Sequence, residues 1–151
     1  MSEPDAGLSD SVERFKFVLP ARLEYRDAAR TFLGFVCDRL VASGKLDAEA
    51  PVRVSSAFVE AFNNAVIHAY DRRPEPIEIE LEVGTKRLAL RLIDSGVGFR
   101  LDDVPTPDFE KLPEGGMGIY IMRSFMDRVR FSREGSKNVL TLEKDLRTPE
   151  G

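Results

Sequence analysis

The sequence predicts an α+β fold, a two-layer sandwich in which a mixed, mostly antiparallel sheet carries three helices on one face. Three observations predict it. Two runs of alternating apolar residues are joined at Gly84-Thr85, as in a hairpin. Three other segments repeat apolar residues at helical spacing, and these helices do not alternate with strands one for one. The repeated strand-helix-strand order of a Rossmann domain therefore does not fit.

The first half of the chain predicts a tail, a strand and two helices. Residues 1–12 carry few large apolar groups, which indicates a flexible tail before one domain over residues 13–146. Residues 15–19 alternate like a strand. A helix is expected from Pro20 to Gly44, and a second over residues 51–70. Their apolar residues recur every three or four positions: Leu23, Phe32, Leu33, Val36 and Leu40 in the first, and Val54, Ala57, Phe58, Ala61, Phe62, Ala65 and Ala69 in the second.

The second half predicts the hairpin, a long loop and a closing helix with two strands. The hairpin strands are expected at residues 77–83 and 88–93. Residues 98–115 are rich in proline and aspartate, which forbids a regular helix, and a loop of that length is commonly functional. A third helix is expected at residues 116–129, followed by short strands around Phe131 and at 139–142. Its inward residues are Ile119, Met122, Phe125, Met126 and Val129.

Composition excludes several classes of protein. The 151 residues are 42% hydrophobic and 32% charged, the balance of a soluble globular domain. The net charge of −4 comes without a basic tract, which argues against direct nucleic-acid binding. No membrane span or secretory leader is evident, so a cytoplasmic location is expected. Cys37 is the only cysteine, which excludes an intrachain disulfide and favours a packing role.

The first candidate motif lies on the second predicted helix, in the segment EAFNNAVIHAY. Glu60, Asn64 and His68 are four residues apart and therefore share one helix face. The neutral oxygen of Asn64 suits Mg²⁺, which takes its other ligands from water and phosphates. The carboxylate of Glu60 can accept a proton or orient a hydroxyl. Alone, such a trio is more typical of the polar border of a core.

The second motif is DSGVG, at the end of the second hairpin strand. Gly96 and Gly98 allow the backbone to turn sharply and to approach a ligand closely. The carboxylate of Asp94 can accept a hydrogen bond from an amino group such as that of adenine. Many strands also end in turns of this kind, so the motif is weak evidence when taken alone.

The third motif is GGMG, where the last predicted helix begins. Free backbone N–H groups and the positive end of the helix dipole make Gly116, Met117 and Gly118 a candidate phosphate site. No Gly-Lys-Ser/Thr follows, so it is not a Walker loop. The order and spacing of the three motifs are more specific than any one of them.

Together the three motifs resemble those of the GHKL ATPases. EAFNNAVIHAY is similar to the N box, DSGVGF to the G1 box and GGMGIYIMRSFMD to the G2 box of that superfamily, whose fold is the Bergerat sandwich. The short chain and the ending of the N box most resemble the anti-sigma-factor serine/threonine kinases. The resemblance covers residues 15–144.

The resemblance implies a role for each motif residue. Asn64 would hold Mg²⁺, Glu60 would be the catalytic base, and Asp94 would bind the adenine amino group of ATP. The glycines of the G1 and G2 boxes would lie beside the nucleotide, and residues 99–114 would form the ATP lid. Kinases of this kind sequester a sigma factor, phosphorylate a serine of a STAS-type antagonist and can form homodimers. Asn63 departs from the family pattern, in which a small hydroxyl residue is common.

Three alternatives to a kinase remain open at the level of sequence. The chain could be a sigma-factor-binding module in which nucleotide is only a structural switch, although such a module needs no base at Glu60. It could be a detached catalytic domain of a histidine kinase, but the only histidine, His68, lies within the N box itself. The third alternative is a fragment of a hydrolytic ATPase of the gyrase or mismatch-repair type.

Overall fold

The computed structural model describes residues 12–66, 75–95 and 116–148, which form one sheet and three α-helices. In chain order the elements are β1 (Glu13–Pro20), a 3-10 turn (Leu23–Tyr25), α1 (Arg26–Ala42), α2 (Ala50–Asn64), β2 (Pro76–Val83), β3 (Arg87–Asp94), α3 (Gly116–Phe125), β4 (Arg128–Glu134) and β5 (Lys137–Asp145). The predicted α+β class, with three helices and one sheet, is confirmed.

The five strands lie in the order β1-β2-β3-β5-β4, and each neighbouring pair is antiparallel. The predicted hairpin is β2-β3, which the backbone closes where the N–H of Gly84 donates to the carbonyl of Arg87 at 3.0 Å. Because β5 inserts between β3 and β4, β3 is the central strand. Its carboxyl end therefore has a partner strand on either side.

The helices cover one face of this sheet and form the core with it. Alternate residues of β2 and β3 point into that core, as the period of two in the sequence predicts. They are Ile77, Ile79, Leu81, Leu88, Leu90 and Leu92, which meet Phe58 and Phe62 of α2 and Met122 of α3. Cys37 of α1 is fully buried in the same core. Burial, and secondarily the charge of Asp38, raises the pKa of its thiol to about 12, so this cysteine has the predicted packing role.

The opposite face of the sheet is charged. Cross-strand ion pairs cover it, including Lys16 with Glu78 at 3.3 Å and Arg91 with Glu80 at 3.6 Å. Near the β4 edge, the nearly buried carboxylate of Glu143 accepts from Nε of Arg128 at 2.7 Å and from Nη2 of Arg130 at 2.8 Å. This face forms a wide groove, but none of the three sequence motifs supplies a carboxylate or amide to it.

Two predicted boundaries were wrong. The first helix begins at Arg26 rather than at Pro20, because β1 stays paired with β2 as far as Pro20, opposite Pro76. Leu23 consequently lies in the 3-10 turn and is 45% exposed instead of joining the core. Val129 belongs to β4, opposite Leu142, and not to the last helix. That helix ends at Phe125, and the N–H of Asp127 already donates to the carbonyl of Glu143.

Other predictions fall largely or wholly outside the described residues. These are the tail (residues 1–12, of which only Val12 is described), the last turn of the second helix from residue 67 onward, and the loop at 98–115. Within the described ranges, no helix is long and apolar enough to cross a membrane.

Candidate functional site

The N box and the G2 box meet where α2 packs on α3. Gly118, in the first turn of α3, is buried against the side chain of Glu60 on α2. A Cβ atom built on Gly118 would lie 2.8 Å from Oε1 of Glu60 and 3.5 Å from its Cβ, so any larger residue would displace the carboxylate. The glycine therefore allows the proposed base to lie directly beside the N-terminus of α3.

Asn64 is the last residue of α2 and follows Glu60 by one helical turn on the same face. Asn64 is only 7% exposed, so its carboxamide lies largely out of bulk solvent. Oxygen donors of this kind suit a Mg²⁺ ion bound chiefly through nucleotide phosphates. Among the described residues, no group of three or more His, Cys, Asp or Glu side chains forms a separate metal site.

Asn63, the departure from the family pattern, has a structural partner. Its Oδ1 accepts a hydrogen bond of 2.8 Å from Nη1 of Arg26, the first residue of α1. The Nε atom of the same guanidinium is buried and finds no hydrogen-bond partner among the described residues. Asn63 thus connects the start of α1 to the end of α2, next to the two N-box residues that are candidates for chemistry.

Asp94 ends β3 and lies in phase with Leu88, Leu90 and Leu92, so it faces the helices rather than the charged groove. Its Oδ1 accepts a hydrogen bond of 2.8 Å from the amide of Asn138 in β5. The structure therefore places this carboxylate on the same side of the sheet as Glu60 and Gly118. Gly96 and Gly98 of the same motif lie outside the described residues.

The G2 box supplies the first turn of α3. Gly116 begins the helix and Met117 follows, 40% exposed. The first N–H groups of a helix have no partner within it, and they carry the positive end of the dipole. This turn can accept a phosphate beside the carboxylate of Glu60. The predicted lid, residues 99–114, lies outside the described residues.

A family model described as "Histidine kinase-like ATPase domain" matches residues 19–144 of this sequence, which contain all three motifs. The chain belongs to the histidine kinase-like ATPase family. The matched residues run from the end of β1 to Lys144, the second-last residue of β5. The match to an ATPase domain implies that this chain uses a nucleotide.

Two curated relatives show which members of the histidine kinase-like ATPase family this chain resembles. The serine-protein kinase RsbW of Bacillus velezensis is 30% identical over 132 residues, which are 82% of this chain and 80% of the relative. The anti-sigma F factor of Bacillus cytotoxicus is 38% identical over 106 residues, 65% of this chain and 71% of the relative. The resemblance to anti-sigma-factor kinases that the three motifs predict is thereby confirmed.

A solved structure supports the fold. The crystal structure of the RsbU and RsbW domains of a Mycobacterium tuberculosis protein matches 91% of this chain with a TM-score of 0.62 at 16% identity. The match covers 33% of that chain, which holds both domains. At this level of identity, the match shows that the two share the histidine kinase-like ATPase fold.

Three polar residues beside the family motifs were missed at the sequence level: Asn138, Arg133 and Arg26. Asn138 has a signal in the sequence, because it stands in phase with the inward Leu140 and Leu142, where alternation predicts an apolar residue. Arg133 is likewise in phase with the inward Val129 and Phe131, whereas Arg26 has no such signal. Their partners lie on other elements, and local periodicity does not reveal those pairings.

Proposed function

We propose that this chain is a protein serine kinase that uses Mg-ATP, phosphorylates a serine of a STAS-type anti-sigma-factor antagonist, and sequesters a sigma factor. The observation that carries the proposal is the contact between Glu60 and Gly118, since a candidate base lies against the turn that would receive the phosphates. The relatives named serine-protein kinase and anti-sigma F factor support the same conclusion.

Each motif residue then has a proposed role. Asp94 would accept a hydrogen bond from the adenine amino group at the helix-facing end of β3. Asn64 would hold Mg²⁺, which when bound neutralises phosphate charge and helps to align the transferred group. The first N–H groups of α3, at Gly116, Met117 and Gly118, would bind phosphate oxygens. Gly96 and Gly98 would allow the chain to pass close to the nucleotide.

The chemical step assigned to this chain is proton acceptance by Glu60. As the serine oxygen of the antagonist forms its bond to the γ-phosphorus, the bond from that phosphorus to the β,γ-bridging oxygen breaks and ADP leaves. The serine proton passes to the carboxylate of Glu60. General-base assistance of this kind contributes about 10²–10⁴-fold to rate. The acceptor hydroxyl comes from the partner protein, because the phosphoryl group is transferred to a serine of the antagonist.

Radiolabel transfer from ATP to an isolated STAS-type antagonist tests the proposal. Glu60→Gln preserves the size of the side chain and should keep ATP binding, while transfer falls by about 10²–10⁴-fold. The matched control is Glu80→Gln, a partly exposed glutamate of the charged sheet face, which should transfer at the wild-type rate.

Two results would contradict the proposal in different ways. Full transfer by Glu60→Gln would leave the protein a kinase but remove Glu60 as its base. Binding of a sigma factor that depends on ATP, with no transfer to any antagonist, would instead make the protein a sequestering module that nucleotide switches.

A further inference from the structure

Asp94 belongs to a row of three polar side chains that lies at one end of the apolar core. Asp94 of β3 is the cross-strand partner of Asn138 in β5, and Asn138 is in turn the partner of Arg133 in β4. The next row inward is apolar and consists of Leu92, Leu140 and Phe131. The polar row therefore lies on the helix-facing side, at the end of the sheet where β3 enters the G1 box.

Hydrogen bonds connect this row in one direction. Nη1 of Arg133 donates to Oδ1 of Asn138 at 2.7 Å, and Nδ2 of Asn138 donates to Oδ1 of Asp94 at 2.8 Å. A guanidinium can only donate and a carboxylate can only accept, so only one orientation of the amide satisfies both neighbours. The positive charge of Arg133 also polarises the amide and strengthens its bond to the carboxylate.

The placement of Asn138 is better explained by Asp94 than by the core. Asn138 is only 2% exposed, and the positions in phase with it, Leu140 and Leu142, are apolar. A leucine there would extend the apolar rows, whereas an amide must be hydrogen-bonded to be buried without cost. The amide occupies the inward position of β5 that faces a carboxylate.

We propose that Asn138, held by Arg133, is a positioning residue that fixes the Asp94 carboxylate for recognition of the adenine 6-amino group, and so sets the selectivity of the site for adenine. This inference rests on the proposed function, in which Asp94 binds adenine. A carboxylate fixed at one oxygen loses less rotational freedom when a ligand binds, which makes its hydrogen bond to the amino group more favourable.

The test compares two nucleotides that differ only at that amino group. Binding of Mg-ATP and of purine riboside triphosphate, which has hydrogen in place of the amino group, is measured by calorimetry on the full chain. The dissociation constant of purine riboside triphosphate divided by that of ATP reports recognition of the amino group alone, and we call this quotient the ratio. In Asn138→Leu, we expect ATP binding to weaken by about 5–20-fold, as for loss of one supporting hydrogen bond, with purine riboside triphosphate changing by less than about twofold.

Further variants distinguish loss of the positioning of Asp94 from general damage to the fold. Asn138→Asp keeps the size of the side chain but sets two carboxylates opposite each other, and the ratio should fall here also. Arg133→Met should lower the ratio by a smaller factor, about 2–5-fold, and combining it with Asn138→Leu should cause no further loss, because the two act in one chain of bonds.

Asp94→Asn distinguishes failure of the inference from failure of the proposed function. If Asp94→Asn leaves the ratio at its wild-type value, adenine recognition by Asp94 is wrong and the inference falls with it. If Asp94→Asn lowers the ratio but both Asn138 variants keep it, or weaken the two nucleotides equally, the positioning role of Asn138 alone is overturned.

Discussion

At the scale of single residues, Gly118 has the clearest consequence. In Gly118→Ala the new methyl group would lie 2.8 Å from Oε1 of Glu60, and the flexible end of that side chain is what must move. We therefore expect the free energy of unfolding to change by less than about 1 kcal/mol, since a helical alanine offsets part of the crowding. Phosphoryl transfer should fall by about 10–100-fold, because a catalytic group displaced by about 1 Å is costly.

Gly34→Ala is the matched control for this substitution. Gly34 lies inside α1, and a Cβ atom built there has no described atom within 4 Å outside its chain neighbours and the nearby helix backbone. This variant should gain about 0.5–1 kcal/mol in urea unfolding and keep full transfer. Wild-type transfer by Gly118→Ala would mean that the position of the Glu60 carboxylate does not limit the reaction.

A second prediction at this scale concerns Asn63. In Asn63→Ala, Nη1 of the half-buried Arg26 guanidinium loses its acceptor, and the ion pair of 3.9 Å between Nε and the exposed Asp27 is too long to replace that hydrogen bond. We expect the variant to lose about 1–2 kcal/mol in urea unfolding. Asn63→Asp retains an acceptor and should lie at or above wild type. If Asn63→Ala unfolds at the wild-type denaturant midpoint, the contact does not stabilise the packing of α1 on α2.

At the scale of elements, the β4-β5 hairpin makes stability depend on pH. Arg128 of β4 donates to Asp145 of β5, and that hydrogen bond holds the pKa of the Asp145 carboxyl below its usual range. The stabilisation by this hydrogen bond is therefore present above the pKa of the Asp145 carboxyl in the unfolded chain, about 3.9. It is lost as the pH falls through the lower pKa that this carboxyl has in the folded protein. Because Asp145 is 55% exposed, solvent screens the pair and its contribution to stability is small.

Urea unfolding of Asp145→Asn over a pH series checks this expectation. The variant should be less stable than wild type near pH 7, and the difference should shrink below about pH 4. Arg128→Met supplies the control, because in that background the effect of Asp145→Asn should depend much less on pH, with only the charges of Arg87 and Lys144 left to lower the pKa of Asp145. A difference that stays constant from pH 7 to pH 3 would contradict the proposed linkage.

The elements also show what sequence can and cannot predict. Alternation reveals which face of β2 and β3 is buried, because a period of two follows directly from strand geometry. It could not place Val129, since this residue faces inward whether its segment is helix or strand. It could not reveal the row of Asp94, Asn138 and Arg133 either, because Asp94 and Asn138 are 44 positions apart and their pairing is a tertiary property.

At the scale of the whole molecule, nucleotide binding should stabilise the fold. A ligand that binds only the folded state at about 100 times its dissociation constant adds about 2.7 kcal/mol. For a chain of 151 residues this corresponds to a rise of roughly 5–10 °C in Tm. Mg-ATP should produce that rise in a calorimetric scan of wild type and a much smaller one in Asp94→Asn. A rise of equal size in both would remove Asp94 from the site.

Because Cys37 is buried, the rate at which its thiol is labelled reports how often the core opens. The single thiol is 0% exposed and has a pKa of about 12, so at pH 8 a thiol reagent can act only when the core opens. If opening also disrupts the nucleotide site, saturating Mg-ATP should slow labelling in proportion to its occupancy, about 100-fold at 100 times the dissociation constant. Labelling that ATP does not slow would show that α1 can leave the sheet while nucleotide stays bound.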